Sequence, residues 1–399
     1  SKILEKPYIA IEVIKALPLS VIQLCELFWQ KQEREEDDLD YEKNSMESQY
    51  GLVNEFRHSY FPASANQTPI KWLLQIAFYE TLDFIIEFTN KSIEYYSKSD
   101  YGKEDVVKIT LHINGKEVLQ YLSSSIWCTY RGNDSTVVPH LLQSIHMALE
   151  KFLLELSQII DQKTIQNILI KILIQSKSAS LTSIVCSVVL ANPNKFYDIA
   201  LILFRTIELF HLDTIRCSNE FQAKLLYSIG YGMDKLKNLL YVDERLKTCE
   251  DKHRNSNLEL LFLNYQLLGV KEFTEEQNKE FIEKLYEIID QYKSNFSTSK
   301  SFGILLARMD RRNLKFKISE QEGNNLLIEF SLKKLSAENR ELSEQTHKQF
   351  EETFKYTFLK IWSDFLIGEK NKNKKCEEYD NNPLLALSET KQLIEELTS

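Results

Sequence analysis

The chain has 399 residues, with 58 Asp and Glu against 49 Lys and Arg for a net charge of −9, and an apolar fraction of 43% that includes 22 Phe and 19 Tyr. That apolar content supports a sizeable core and excludes disorder over most of the length, while the acidic balance disfavours nucleic acid and anionic lipid surfaces as default partners. Only 10 Gly and 7 Pro occur. Frequent turns need those residues, so a chain this poor in them reads as mostly helix.

Six cysteines stand at 25, 128, 186, 217, 249 and 376 without a CxxC pair, which points away from a zinc site or a disulfide framework and toward a reducing, cytoplasmic setting. The longest apolar blocks fall short of the ~20 residues that a membrane span needs. The residues around Lys2 and Lys6 supply no apolar core for a signal peptide. The length exceeds one ordinary domain of ~100–200 residues, yet few linkers interrupt it. The chain starts at Ser and enters its first helix at once, so it is expected to be a piece of a larger protein.

Residues 8–30 carry an amphipathic pattern interrupted near Pro18, with Ile11, Ile14, Leu17, Ile22, Leu24, Leu27 and Phe28 as its apolar set. The stretch from Lys31 to Ser48 is acidic and nearly free of apolar residues, and reads as a solvated loop. A short helix over 69–77 then precedes a longer one on which Leu82, Ile85, Ile86, Thr89 and Ile93 face one way, with Asp83, Glu87 and Lys91 on the wet side. Val107, Ile109, Leu111 and Ile113 alternate, Asn114-Gly115 supplies a type I′ turn, and Val118, Leu119 and Tyr121 return, which predicts a β-hairpin. A helix starting near Pro139 follows, its stripe running from Val138 and Leu141 through Leu149 and Leu153 to Ile160. Leu181 to Ala191, then a helix from Phe196 through Phe210, echo the earlier helix pair at a distance of 118 residues. A capping box at Thr274 and Gln277 opens a helix with Phe281, Leu285, Ile288, Ile289 and Tyr292 inside. A second hairpin is predicted from Leu314 to Phe330, a helix from Leu342 to Gly368, and a polar tail over 369–381.

The fold class this predicts is mainly α: stacked helix pairs, as an α-solenoid-like or multi-helix array, with one or two small β-hairpins inserted. Three segments follow from the pattern: an N-terminal helix and acidic loop over 1–60, a helical core with its hairpin over 61–270, and C-terminal helices with the second hairpin over 271–399.

No catalytic, cofactor or metal constellation can be read. Histidine spacing offers no HxxxH or HExxH, and no Gly-rich loop ends in Lys-Ser or Lys-Thr to cradle phosphates. Cys249 and His253 share an i, i+4 spacing but lack further ligands, and read as surface residues. Two places are candidates for interaction. One is the loop of Trp127, Tyr130, Arg131 and Asp134, where Arg131 either serves a partner or pairs with Asp134 and stacks on Tyr130 as an internal brace. The other is the basic cluster of Arg308, Arg311 and Arg312, read as a surface contact or as an internal ion-pair network.

Ser64-Ala-Asn-Gln-Thr-Pro69 with Asp83–Lys91, Trp127-Cys-Thr-Tyr-Arg-Gly132 with Met147-Ala-Leu-Glu-Lys151, and Leu306–Arg312 together resemble a region of large bacterial ATP-binding proteins of the STAND-NTPase, antiphage-defence type. The resemblance spans much of 60–330 and carries no catalytic motif. It implies a long helical region that senses a ligand or holds an attached ATPase inactive, with any NTPase activity lying in a region not present in this chain. The function expected is therefore a non-catalytic, cytoplasmic scaffold or sensor module with no cofactor, whose partner is a protein or another domain of a larger chain. On this reading alanine at Arg131, or at Arg311 and Arg312, alters partner binding more than folding. Two alternatives stay open: a stand-alone enzyme with a site near 127–140, in which Asp134 or His140 would matter, and a nucleic-acid-binding module using the 308–317 patch.

Overall fold

Helices form where apolar residues recur every three or four positions, because that spacing gathers them on one face that must leave water. In the computed structural model the described residues are 2–31, 45–56, 59–132, 138–220, 238–295, 300–321, 325–332, 382–398 and isolated positions 348, 359, 362–363 and 379. The chain divides into two compact units, Ser1–Asn295 with Met309–Arg311, and Phe296–Arg308 with Arg312–Ser399. Among the described residues both are mainly α-helical, and each holds one two-stranded antiparallel sheet.

The first unit opens with a short helix, Lys2–Glu5, a 3₁₀ turn at Pro7–Ile9 and two further helices, Ile11–Ala16 and Pro18–Trp29. Proline is tolerated in a first turn, where its missing N–H is not needed, so the interruption falls where the sequence places it. The buried face differs from the one expected. Ile14, Val21, Cys25 and Trp29 are inside, whereas Leu17, Leu27 and Phe28 are exposed. A single stripe drawn through Pro18 fails because the second helix starts on a new axis and resets the face. Trp29 anchors it, donating its Nε1 proton to Tyr60 Oη at 2.6 Å and meeting Phe88 edge-on. Of the acidic stretch, 32–44 lies outside the described residues. Its end is a short helix, Met46–Gln49, with Ser45 accepting from the Ser48 amide as N-cap and with Glu47 buried, so that part is not a solvated loop.

The helix pair is Ile70–Ile76 and Phe78–Lys98, and Leu82, Ile85, Ile86, Thr89 and Ile93 are all buried, as the spacing predicts. On the opposite face Asp83 holds Lys171 at 2.6 Å and Glu87 holds Lys91 at 3.0 Å. The hairpin pairs Val107–Ile113 with Lys116–Leu122 around Asn114 (φ 49°) and Gly115 (φ 78°), the left-handed turn that Asn-Gly favours. Ile109, Leu111 and Ile113 point inward, but on the return strand Gln120 and Leu122 are the buried residues and Leu119 is exposed. Gln120 is tolerated inside because all its amide atoms used there are bonded: Nε2 donates to Leu173 O and Ser176 O, and Oε1 accepts from Thr182 Oγ1.

His140–Ile159 packs on Ala179–Ala191, which also meets Gln162–Gln175. Pro139 stands just outside the first of these, in the N-cap position. The single helix expected from Phe196 through Phe210 is two, Tyr197–Leu203 and Ile207–Ser218. The break lets Phe204 and Phe210 stack at 5.6 Å, and the freed Phe204 carbonyl accepts from Tyr292 Oη at 2.7 Å. Leu258–Leu268 ends at Gly269. Glu275–Asn295 follows, and its capping box is reciprocal: the Thr274 amide donates to Gln277 Oε1 and the Gln277 amide to Thr274 Oγ1.

Gly269 has φ 70° and ψ −165°, a conformation essentially restricted to glycine, and a Cβ there would lie 2.4 Å from Asn278 Oδ1. That oxygen accepts from the Val270 amide at 2.7 Å. Gly269→Ala is therefore expected to lower the unfolding free energy by ~2–3 kcal/mol, through backbone strain and a displaced cap. Equal urea midpoints for the variant and the parent would contradict this.

In the second unit Leu314–Gln321 pairs with Asn325–Leu332, with Phe316 opposite Phe330 and Ile318 opposite Ile328, the pairing the alternation predicts. The expected helix from Leu342 to Gly368 and the polar tail lie almost wholly outside the described residues. Pro383–Thr398 is a helix the sequence reading did not mark, and Ala386 on it clusters with Leu359 and Tyr379. Among the described residues no helix is long and apolar enough to cross a membrane.

Candidate functional site: a charged cavity over buried ion pairs

On the His140–Ile159 helix, Met147, Glu150, Lys151 and Leu154 are three, four and seven residues apart and share one face. Opposite them lie the short helix Asp243–Thr248 and the 3₁₀ turn Lys252–Asn255 with its N-cap Asp251; Glu244, Arg245, Lys247, Thr248, Asp251 and Arg254, with Glu155, line a cavity of ≈ 210 Å³. Ala65 joins Met147 and Leu154 as the apolar part of the lining.

Below the cavity runs a set of buried charges. Arg254 grips Glu150 through both guanidinium nitrogens, Nη2 to Oε2 at 2.9 Å and Nη1 to Oε1, and lies over the Tyr130 ring at 5.8 Å. Burial opposes ionisation of Glu150, but the charge and hydrogen bonds of Arg254, with Arg131 nearby, outweigh it and hold the carboxyl at about 2. Arg131 forms a two-pronged pair with Glu220, Nε to Oε2 at 3.1 Å and Nη2 to Oε1, and reaches Thr248 Oγ1 at 3.4 Å. Arg216 donates to Asp213 at 2.9 Å and to the Arg254 carbonyl at 2.8 Å. The other Asp213 oxygen accepts from the Leu258 amide. Charges this deep are tolerable only when paired and fully hydrogen-bonded.

Two serine–histidine pairs have the partners of a nucleophile and its base. His146 Nδ1 lies 2.8 Å from the Leu142 carbonyl, which only accepts, so Nδ1 carries the proton and Nε2 accepts from Ser180 Oγ at 2.9 Å. Ser178 then donates to Ser180. This is the order of a Ser–His base, but Ser178, Ser180 and His146 are each 0% exposed, so no substrate reaches the hydroxyl. In the second pair Ser187 Oγ gives its proton to the ionised Glu150, leaving His253 Nε2, at 3.1 Å, as a donor to Ser187. Arg254 Nη1 adds a further donor at 3.4 Å. A serine oxygen loaded with donors is no nucleophile. Burial keeps both imidazoles neutral, His146 at about 4 and His253, with Arg254 adding repulsion, at about 3. Among the described residues no group of three or more His, Cys, Asp and Glu is placed to hold a metal.

Trp127, Tyr130 and Arg131 are 0, 1 and 0% exposed, so this part of the expected loop is an interior brace. Asp134 lies outside the described residues; the partner of Arg131 is Glu220, and it is Arg254, not Arg131, that covers Tyr130. Cys249 and His253, read from sequence as surface residues, are half-buried: Cys249 Sγ meets Arg131 Nη2 at 3.5 Å, and His253 bonds Ser187. In the first unit Arg311 is partly buried, its amide donating to Gln266 Oε1 at 3.0 Å and its Nη1 to the Gln266 carbonyl at 2.7 Å. In the second unit Arg308 and Arg312 are exposed.

The sequence reading missed Glu150, Glu244, Arg245 and Arg254. One signal was available: Gln143, His146, Glu150 and Ser157 form a polar ridge at helical spacing beside the apolar stripe, and all four are buried. Their partners at 178–187 and 244–254 are too distant in sequence to be found by spacing. No family model matches the chain, and no curated protein matches it either.

Proposed function

We propose that this chain is a non-catalytic helical scaffold or sensor module of a larger bacterial nucleotide-dependent protein of the STAND-NTPase defence type, acting through protein–protein or ligand-sensing contacts. One observation carries the reading. Three of the stretches on which the resemblance rests, 64–69, 127–132 and 147–151, meet at or beneath this charged cavity: Ser64 and Ala65 hold Glu244, Tyr130 lies under Arg254, and Glu150 and Lys151 form a wall. A site assembled from segments up to 180 positions apart ties its occupancy to the packing of the whole unit, which is what a sensing module requires. The closed Ser–His pairs weigh against the stand-alone enzyme.

The test is an assay of the 399-residue chain against nucleotides and activated esters, beside the intact mass of the native gene product. The expected results are no turnover and a mass far above 46.9 kDa. Turnover abolished by changing Asp134 or His140, with a native mass near that of this chain, would replace the proposal with the enzyme reading.

A further inference from the structure

Glu244 is 8% exposed, yet its carboxylate is held by groups that do not belong to its own helix. Oε2 accepts from the Ser64 hydroxyl and from the Ala65 amide at 3.2 Å, and Oε1 accepts from Lys151 Nζ at 2.8 Å. The Asn66 amide, at 3.2 Å from Ser64 Oγ, donates to that oxygen and leaves the hydroxyl proton pointing at Glu244. A hydroxyl, a main-chain N–H and an ammonium converging on one point are the donors proteins use for phosphate and carboxylate groups. A second lysine adds to the positive field. Lys71 donates to Asn66 Oδ1 at 2.9 Å, is half-buried, and feels the charge of Lys151, with Glu155 and Glu244 opposing it. The cavity begins at this point, with Ala65, Lys151 and Glu244 in its wall, and its ≈ 210 Å³ is several times the ~30 Å³ that a water occupies in the liquid. Glu244 itself rides on a six-residue helix that follows a π-helical turn, Asn238–Val242, a local irregularity of the kind often found at functional sites.

We propose that Glu244 is an internal stand-in for a ligand, and that the cavity takes a small molecule whose phosphate or carboxylate group replaces the Glu244 carboxylate on Ser64, the Ala65 amide and Lys151. A phosphate dianion suits the site better than one carboxylate does, because it brings more acceptor oxygens and more charge to the three donors. Displacement frees Glu244 and with it the short helix that lines the cavity, which gives occupancy a mechanical consequence. The inference rests on the sensor reading only for the use of the site. Absence of binding overturns the site alone, and turnover by the chain overturns the sensor reading alone.

The experiment is calorimetric titration of the full chain with inorganic phosphate at constant ionic strength, with AMP and acetate as further arms. Glu244→Gln keeps the shape but removes the competing charge, so phosphate affinity should rise at least tenfold over the parent. Adding Lys151→Met to that variant should cancel the gain. Equal affinity in Glu244→Gln and parent, or no saturable binding in either, overturns the proposal. Should Glu244→Gln fold poorly, the Ala65 amide resonance of the parent serves instead: a saturable shift with phosphate and none with chloride supports displacement, and an unmoved resonance refutes it. AMP binding more tightly than phosphate identifies the ligand as a phosphate monoester, equal affinities identify free phosphate, and a preference for acetate identifies a carboxylate.

Discussion

Arg131→Ala should lower the unfolding free energy by on the order of 3–5 kcal/mol, because it takes the two-pronged hydrogen-bonded partner from the buried Glu220 carboxylate and leaves it only the longer pairing with Arg216 at 3.8 Å. This reverses the expectation from sequence that alanine at this position alters binding more than folding. Arg131 is fully buried, and its guanidinium also reaches Thr248 and Cys249, so its removal disturbs the floor of the cavity as well as one ion pair. Urea unfolding of the parent, the single variants Arg131→Ala and Glu220→Ala, and an Arg131→Met, Glu220→Leu double variant separates the contributions. The double variant should recover much of the lost stability, since well-packed apolar replacements remove the stranded charge as well as the pair. A loss below about 1 kcal/mol for Arg131→Ala would mean that Glu220 is solvated and that the pair is not interior.

Acid should unfold this protein well above the pH at which its carboxylates alone would demand it. Between pH ~6.5 and about 4 the unfolded chain takes up a proton at His146 that the folded chain refuses, so stability falls as pH falls through that window. At about 1.4 kcal/mol per pKa unit, His146 alone accounts for ~3 kcal/mol. His253, held at about 3, adds a similar or larger loss that continues to lower pH. Glu150 acts in the same direction at lower pH: its depressed value stabilises the fold above pH ~4.5, and that contribution disappears as pH falls toward about 2. The urea midpoint should therefore decline steadily from pH 7 to 4.5. A midpoint unchanged over that range would show that the two imidazoles are exposed.

Local chemistry made the elements legible, and long-range chemistry hid the site. Asn114-Gly115 allows little but a tight hairpin, Thr274 and Gln277 cap each other, and Leu82, Ile85, Ile86, Thr89 and Ile93 bury together, because in each case the partners lie within a few residues. For Arg131 the sequence leaves open a partner contact or an internal brace to the nearby Asp134; its partner is Glu220, 89 positions away, and no local pattern announces that pair. The same holds for Glu150 and Arg254, which are 104 positions apart. The Ile14 to Trp29 face was misread for a different reason: a periodic stripe has meaning only along one helix axis, and Pro18 starts a second.

The hairpin at 107–122 has a kinetic consequence. Its turn is local and should form quickly, but a lone two-stranded ribbon is marginal in water. What holds this one is distant: Gln120 binds Leu173 and Thr182, 53 and 62 positions away, and the Tyr121 amide donates to the Lys177 carbonyl at 2.8 Å. The ribbon thus becomes durable only after the helices around 162–191 have docked. Amide exchange during refolding should show Tyr121 gaining protection with those helices rather than ahead of them.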